Sequence, residues 1–433
     1  MQIREAYYTS YFYKISKCLF FDGKVFPVSK SIAGKAFQKL YYPYVSEICL
    51  ALSVFLFWYE GLVTRYLPVL ANHGVASVLL VIGLLFAKKD KIIFNKLQFW
   101  YLGFLVLSLV SALFAIINNI GGTLLISGWL LFLQFGLAIF IAQSIKEKKR
   151  ILKGLVFLSV PLSLVGIYQF VFHIKTSALW LSSFEQGIDT RSFAFFGSPN
   201  VLGIILSIIA ILTLGFYLKE RKAYYLVIAV LDILTVGFTF SRSAWLGLAA
   251  GILLIMLAYK PKLAFFSPAL LLLLLIPQIK NRITAAFSGQ YLTDSSLDGR
   301  IWSYINGVHI FKQYPFLGSG PGSYGGQLAA ENASPVYLQS IQNGYTALYF
   351  TDNQYLEILV QTGVLGAITF LGFIICVFAA LIDKFRGKRD ILMLCVMGSF
   401  VCFLVSGLFA NVLEFGAVAV PMGIILGSVV SED

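Results

Sequence analysis

The chain is a succession of long apolar runs parted by short polar gaps. A run of ~20 mostly apolar residues is long enough to cross a bilayer as a helix. On that measure the pattern predicts about twelve spans, at 45–63, 66–86, 97–118, 122–144, 151–173, 200–218, 222–240, 243–259, 263–279, 354–382, 390–411 and 413–430. Spans 7 and 8, and spans 11 and 12, are joined so tightly that the pattern barely parts them. Two polar interruptions are long, 174–199 and 280–353. Within the second, residues 300–313 read as an amphipathic helix, with Ile301, Ile305, Val308 and Phe311 near helical spacing and Trp302 beside them. The expected fold is an all-α membrane protein. Its segments are an N-terminal stretch (1–44), a bundle of nine spans (45–279), one large loop between spans 9 and 10 (280–353) and three closing spans (354–433).

Composition agrees with that class. Mean hydropathy is +0.84, and 59% of residues are hydrophobic against 12% charged, which excludes an ordinary soluble domain. Charge adds the orientation. Of 33 Lys and Arg residues, 25 fall in the first 43 residues and in every second gap, and 8 lie on the other side. The positive-inside rule puts the 25 in the cytoplasm. Both termini are then cytoplasmic and the 280–353 loop is extracytoplasmic. The net charge of +13 follows mostly from this topology. The cations form no folded basic face, which argues against a nucleic-acid partner.

The N-terminal stretch mixes aromatics with lysines, from Tyr7 to Phe21. That suits either an interfacial segment on an anionic leaflet or a basic tail. Of five cysteines, Cys18 is cytoplasmic and Cys49, Cys376, Cys395 and Cys402 lie within spans, so no disulfide is expected. No Cys/His cluster has metal-ligand spacing.

The arginines left on the extracytoplasmic side are the candidates for chemistry. Arg191 precedes span 6, Arg242 stands in Ser241-Arg242-Ser243 between spans 7 and 8, and Arg300 opens the loop helix. A guanidinium is always charged, and its planar fork matches phosphate oxygens. Three around one cavity would hold a diphosphate; singly, each could snorkel or pair with Asp189, Asp298 or Glu357. Gly318-Ser319-Gly320-Pro321-Gly322 is either a rigid turn or a place where backbone N–H groups approach an anion, with Gly320 at its centre. Asp352 stands where span 10 begins, beside Asn353 and Tyr355. It could cap that helix or serve as general base toward a sugar hydroxyl. Glu357, deeper in the span, could pair with an arginine. Asp232 is an acid inside span 7, a candidate by position or simply paired with a neighbouring helix. His73, His173 and His309 have no nucleophile or metal-ligand partner nearby in sequence.

In order and spacing these motifs resemble the O-antigen ligase and Wzy-type polymerase superfamily of bacterial membranes, over about 185–370. The resemblance rests on Arg191 with Gly197, Pro199 and Asn200; on Ser241, Arg242, Ala244 and Trp245; on Gly299, Arg300 and Trp302; on Pro315 to Gly318 with Gly320, Pro321 and Gly322; and on Asn353, Tyr355 and Leu356 closing on Gly363 and Gly366. It implies a multi-span glycosyltransferase of the cytoplasmic membrane, acting on its outer face. The implied donor is a saccharide on undecaprenyl diphosphate, and no metal, nucleotide or other cofactor takes part. Arg242 and Arg300 take the diphosphate-binding role, with Arg191 as a third. Ligases of the superfamily carry a His ahead of Asn-x-Tyr-Leu in the role of base, and here that position is Asp352. The departure implies a polymerase rather than a lipid A–core ligase. Membrane lipid and other polysaccharide assembly proteins are the implied partners.

A transporter or flippase is the competing class, since twelve spans suit one. Transporters usually pair two halves around a mid-membrane site. This sequence shows no half-repeat, and its polar motifs gather on one side of the C-terminal half.

Overall fold

The computed structural model describes residues 26–27, 45–59, 61, 73–87, 93–94, 96–120, 124–177, 190–259, 300–331, 334, 351–388 and 390–430. Span 263–279, most of the N-terminal stretch and the rest of the 280–353 loop lie outside them. Among the described residues the fold is helical apart from one short antiparallel pairing of Phe26–Pro27 (β1) with Ile93–Phe94 (β2). The helices are α1 (Val45–Trp58), α2 (His73–Leu85), α3 (Lys96–Ile117), α4 (Leu124–Ser144), α5 (Lys148–Val171), α6 (Pro199–Glu220), α7 (Ala223–Phe238), α8 (Arg242–Tyr259), α9 (Arg300–Gln313), α10 (Gln327–Glu331), α11 (Gln354–Lys388), α12 (Ile391–Ser406) and α13 (Gly416–Val430). Eleven of the twelve expected spans therefore coincide with a helix. Among the described residues six helices, α3, α4, α5, α6, α8 and α11, are long and apolar enough to cross a membrane.

The core forms around α6, whose side chains are buried almost all round from Pro199 to Phe216. Helices α5, α7, α8, α12 and α13 pack about it. Directions follow from the contacts. The Ser207 hydroxyl donates to the Ala244 carbonyl (3.2 Å) and Ile211 meets Gly251, so α6 and α8 run in the same sense. The Ser399 hydroxyl donates to the Ile208 carbonyl (3.0 Å) and the Ser406 hydroxyl to the Ser243 carbonyl (3.3 Å), so α12 runs against both. A second group joins α3, α4 and α11 through tilted and edge-on aromatic rings, among them Tyr101, Phe104, Phe135, Phe370 and Phe373.

The two ends of the bundle differ in chemistry. At one, ion pairs bind Lys219 to Asp390 and Lys153 to Glu220, and the Lys384 ammonium donates to the Val429 carbonyl (2.6 Å). This basic end gathers the gaps rich in Lys and Arg. The other end gathers residues 190–200, 238–242, 315–328, 351–354 and 406–416, joined by hydrogen bonds between segments distant in sequence. Alternation of the spans requires this separation.

One long helix is broken. Within α11, Gly363 has φ 65° and ψ −172°, a conformation essentially reserved for glycine. The break frees backbone groups that must be paired inside the protein. The chain pairs them with the loop 315–320. Ser319 N–H donates to Val360 O (2.9 Å) and Gly320 N–H to Gln361 O (2.9 Å), while Val364 N–H donates to Pro315 O (2.9 Å). The Ser111 hydroxyl of α3 also donates to Gln361 O (2.7 Å). The glycine turn thus fills a gap in a helix.

Candidate functional site

The end opposite the basic one forms a rim that brings together the segments of Arg191, Arg242 and Asp352. Arg242 is the first residue of α8 and is half-buried. Its turn is shaped by Phe240, held at φ 51°, and by Ser241 and Ser243, whose hydroxyls lie 3.0 Å apart. Because α6 and α8 are parallel, their N-termini open on this same rim, where the helix dipole favours an anion.

Arg191 is also on the rim, with 3% of its surface exposed. Its Nε donates to the Thr239 carbonyl (2.9 Å) and its Nη2 to Asn200 Oδ1 (3.0 Å). The Thr176 hydroxyl bonds both its backbone N–H and its carbonyl. Two guanidinium nitrogens are therefore committed to protein acceptors. Arg191 braces the first turn of α6 against the residues that lead into Arg242.

Arg300 opens α9. That helix is set by Tyr324, whose hydroxyl donates to Ser303 O (2.5 Å) and whose ring abuts Gly307. Tyr324 O in turn accepts from Gln361 Nε2 of α11 (2.6 Å).

Asp352 sits just ahead of α11 at φ 48° and is half-buried. The capping role belongs to its neighbour. Asn353 Oδ1 accepts from the N–H groups of Tyr355 and Leu356, each at 3.1 Å. Asn accepts these bonds as well as Asp does, and one residue of offset decides which side chain reaches them. The Tyr355 hydroxyl donates to Leu404 O (2.7 Å) and ties α11 to α12.

Glu357 is buried, and its partners are amides rather than an arginine. Gln354 Nε2 donates to one oxygen (3.0 Å) and Gln361 Nε2 to the other (3.1 Å). Gly320 is equally committed, since its N–H is spent on Gln361 O. An anion-cradling role for Gly320 would need that N–H. Asp232 lies away from the rim, paired with α5: Ser163 donates to one oxygen (2.6 Å) and Ser159 to the other (3.1 Å).

Sequence reasoning missed the turn between α12 and α13. Gln354 N–H donates to Gly407 O (2.8 Å), and Leu413 N–H to Gln354 Oε1 (2.6 Å). Asn411 accepts from Asn353 N–H (3.0 Å) and donates to Gly325 O (2.8 Å). Glu414, also buried, accepts from Gln327 N–H (2.9 Å) and Leu328 N–H (3.0 Å), one on each oxygen. A side chain at Gly326 would place its Cβ 2.1 Å from that carboxylate, so a larger residue there would displace Glu414 from its bonds. One turn thus holds the Asp352 segment on one side and the loop that carries Tyr324 on the other. Through Ser406 and Ser243 it also touches the first turn of α8. The signal was present as two polar residues, Asn411 and Glu414, at the tight join of spans 11 and 12.

Residues 225–371 match a family model described as O-antigen ligase. Those residues are similar to a domain of the O-antigen ligase family. No curated protein matches the chain. The O-antigen ligase-family domain takes in most of α7, all of α8, α9 and α10, and α11 beyond its break. Arg242, Arg300, Gly320, Asp352, Asn353, Tyr355 and Glu357 fall inside it. Arg191, Asn411 and Glu414 fall outside, so the rim is completed by residues beyond the matched domain. The match thus lies on a chain with six helices, among the described residues, that are long and apolar enough to cross a membrane.

Proposed function

We infer that this chain is a polymerase that transfers a saccharide from undecaprenyl diphosphate to a sugar hydroxyl on the outer face of the cytoplasmic membrane. One observation carries the reading. The paired N-termini of α6 and α8, with Arg242 at their mouth, are linked through Ser243–Ser406 and Gly407–Gln354 to the segment that presents Asp352. An anion site and a carboxylate outside the helix cap thus share one rim.

In this reading the acceptor hydroxyl oxygen attacks the anomeric carbon of the donor. The bond from that carbon to the diphosphate oxygen breaks, and undecaprenyl diphosphate leaves with the electron pair. Asp352 takes the hydroxyl proton. Arg242 and Arg300 hold the charge that develops on the leaving diphosphate, aided by the helix N-termini. Outside the membrane there is no ATP, so the donor must carry its own leaving group, and a lipid diphosphate does. Arg191 acts by holding the turn that presents Arg242. The arginines supply the electrostatic stabilisation, and the reaction is expected to need no metal. Both termini are cytoplasmic, following the 25-to-8 division of cations.

The family description favours a second reading, transfer of a finished polysaccharide to a lipid or protein acceptor. Purified protein given an undecaprenyl-diphosphate oligosaccharide and EDTA separates the two. Longer lipid-linked chains support the polymerase. Transfer only when a separate acceptor is added supports the ligase. Retention of the donor unchanged, with and without metal, overturns both.

A further inference from the structure

Helix α9 buries one side and exposes another that is also apolar. Trp302, Ser303, Gly307 and Ile310 face the protein. Ile305 and Val308, two of the apolar positions at helical spacing, are 49% and 45% exposed, and Phe316 just beyond the helix is 68% exposed. Isolated exposed apolar residues are ordinary. These are not isolated, because Phe316 is fixed against α11. Its carbonyl accepts from Leu365 N–H (3.4 Å) beside the Pro315–Val364 bond. From there Leu365, Ile368 and Leu371 continue down α11 at helical spacing, 41%, 52% and 56% exposed. That stripe lies on a helix apolar enough to cross a membrane.

The depth of Phe316 follows from the same helix. From Val364 to Asp383 an α-helix rises roughly 29 Å, close to the hydrocarbon thickness of about 30 Å. Asp383, Lys384 and Arg386 then stand at the basic end, and the break at Gly363 stands at the opposite boundary. Phe316 is level with that boundary. Exposed Lys312, one turn beyond Val308, is placed to reach the headgroups.

We propose that α9 is an interfacial helix, seated by Ile305, Val308 and Phe316 among the acyl chains of the leaflet at the loop end. Its partner is bilayer lipid. The proposal rests on the membrane-spanning character of α11 and is independent of the transfer reaction. The test uses the full chain with Cys18 replaced by serine; Cys49, Cys376, Cys395 and Cys402 are buried. Val308→Cys and Phe316→Cys are each labelled with an environment-sensitive fluorophore and reconstituted in phospholipid vesicles. Both positions are exposed, so each variant should fold, and each checks the other. Expected are a blue-shifted emission and a loss of emission when the lipid acyl chains are brominated near the headgroup, with little loss to aqueous iodide. Quenching by iodide in preference to brominated lipid would overturn the proposal, since the face would then be in water. Protection from both quenchers would also overturn it, since protein would then cover the face.

Discussion

Asn353 Oδ1 accepts the Tyr355 N–H at 3.1 Å, and that bond gives the cap of α11 to Asn353 rather than to its neighbour Asp352. The two positions should therefore separate by experiment. Asp352→Asn should fold normally and lose about 10²–10⁴-fold in turnover, the usual worth of a general base. Asn353→Ala should instead lower stability by about 1 kcal/mol, the usual cost of a lost N-cap. Rates of chain elongation and thermal unfolding in detergent measure both. A loss at Asp352→Asn of under roughly tenfold would remove the base assignment.

Arginine variants should split in the same way. Arg242→Lys is expected to lose nearly as much activity as Arg242→Ala, because an ammonium cannot reproduce a bidentate fork. Arg191→Lys should show up first as instability, since it abandons the Thr239 carbonyl and Asn200. Full polymer synthesis by Arg242→Ala and Arg300→Ala proteins at normal abundance would sink the diphosphate clamp.

Glu414 and Gly326 offer a paired test. Glu414→Ala strands the N–H groups of Gln327 and Leu328, at a cost of about 1–3 kcal/mol for each one left unbonded. Gly326→Ala drives a methyl into the carboxylate and should destabilise as well. The double variant should be less damaged than the two single costs combined, because removing the carboxylate makes room for the methyl. Denaturation of the four proteins gives the coupling, and strict additivity would refute the contact.

Topology has its own measurement. A cysteine at Ser295 should react with an impermeant thiol reagent in intact cells or spheroplasts. Labelling only after permeabilisation would reverse the orientation of the whole bundle.

Much of this architecture was legible in the chain. Long apolar runs announce helices because a bilayer leaves few alternatives for the backbone, and eleven spans coincide with helices. The rim was legible in part. Arg242, Arg300 and Asp352 stand out because charge is costly near a membrane. Their supports do not stand out. The hold of Arg191 on Thr239, the cap by Asn353 in place of Asp352, and the grip of Glu414 on the loop depend on which segments meet, and spacing along one segment carries no record of that. Gly363 reads as one more glycine in a span until its partner loop is known. The exposed side of α9 was hidden for a similar reason, because helical periodicity marks an apolar stripe without saying whether protein or lipid covers it.

The plugged break in α11 sets an order of events in biogenesis. Residues 315–320 are synthesised before 360–365, so the plug is delivered first and waits for the gap it will fill. Until the two meet, the carbonyls of Val360 and Gln361 lack their loop donors, and α11 is completed by docking rather than by insertion alone. The segment that presents Asp352 and the loop that follows Arg300 are brought into register by that one docking event. A nascent chain therefore carries no assembled rim until α11 has been made and docked.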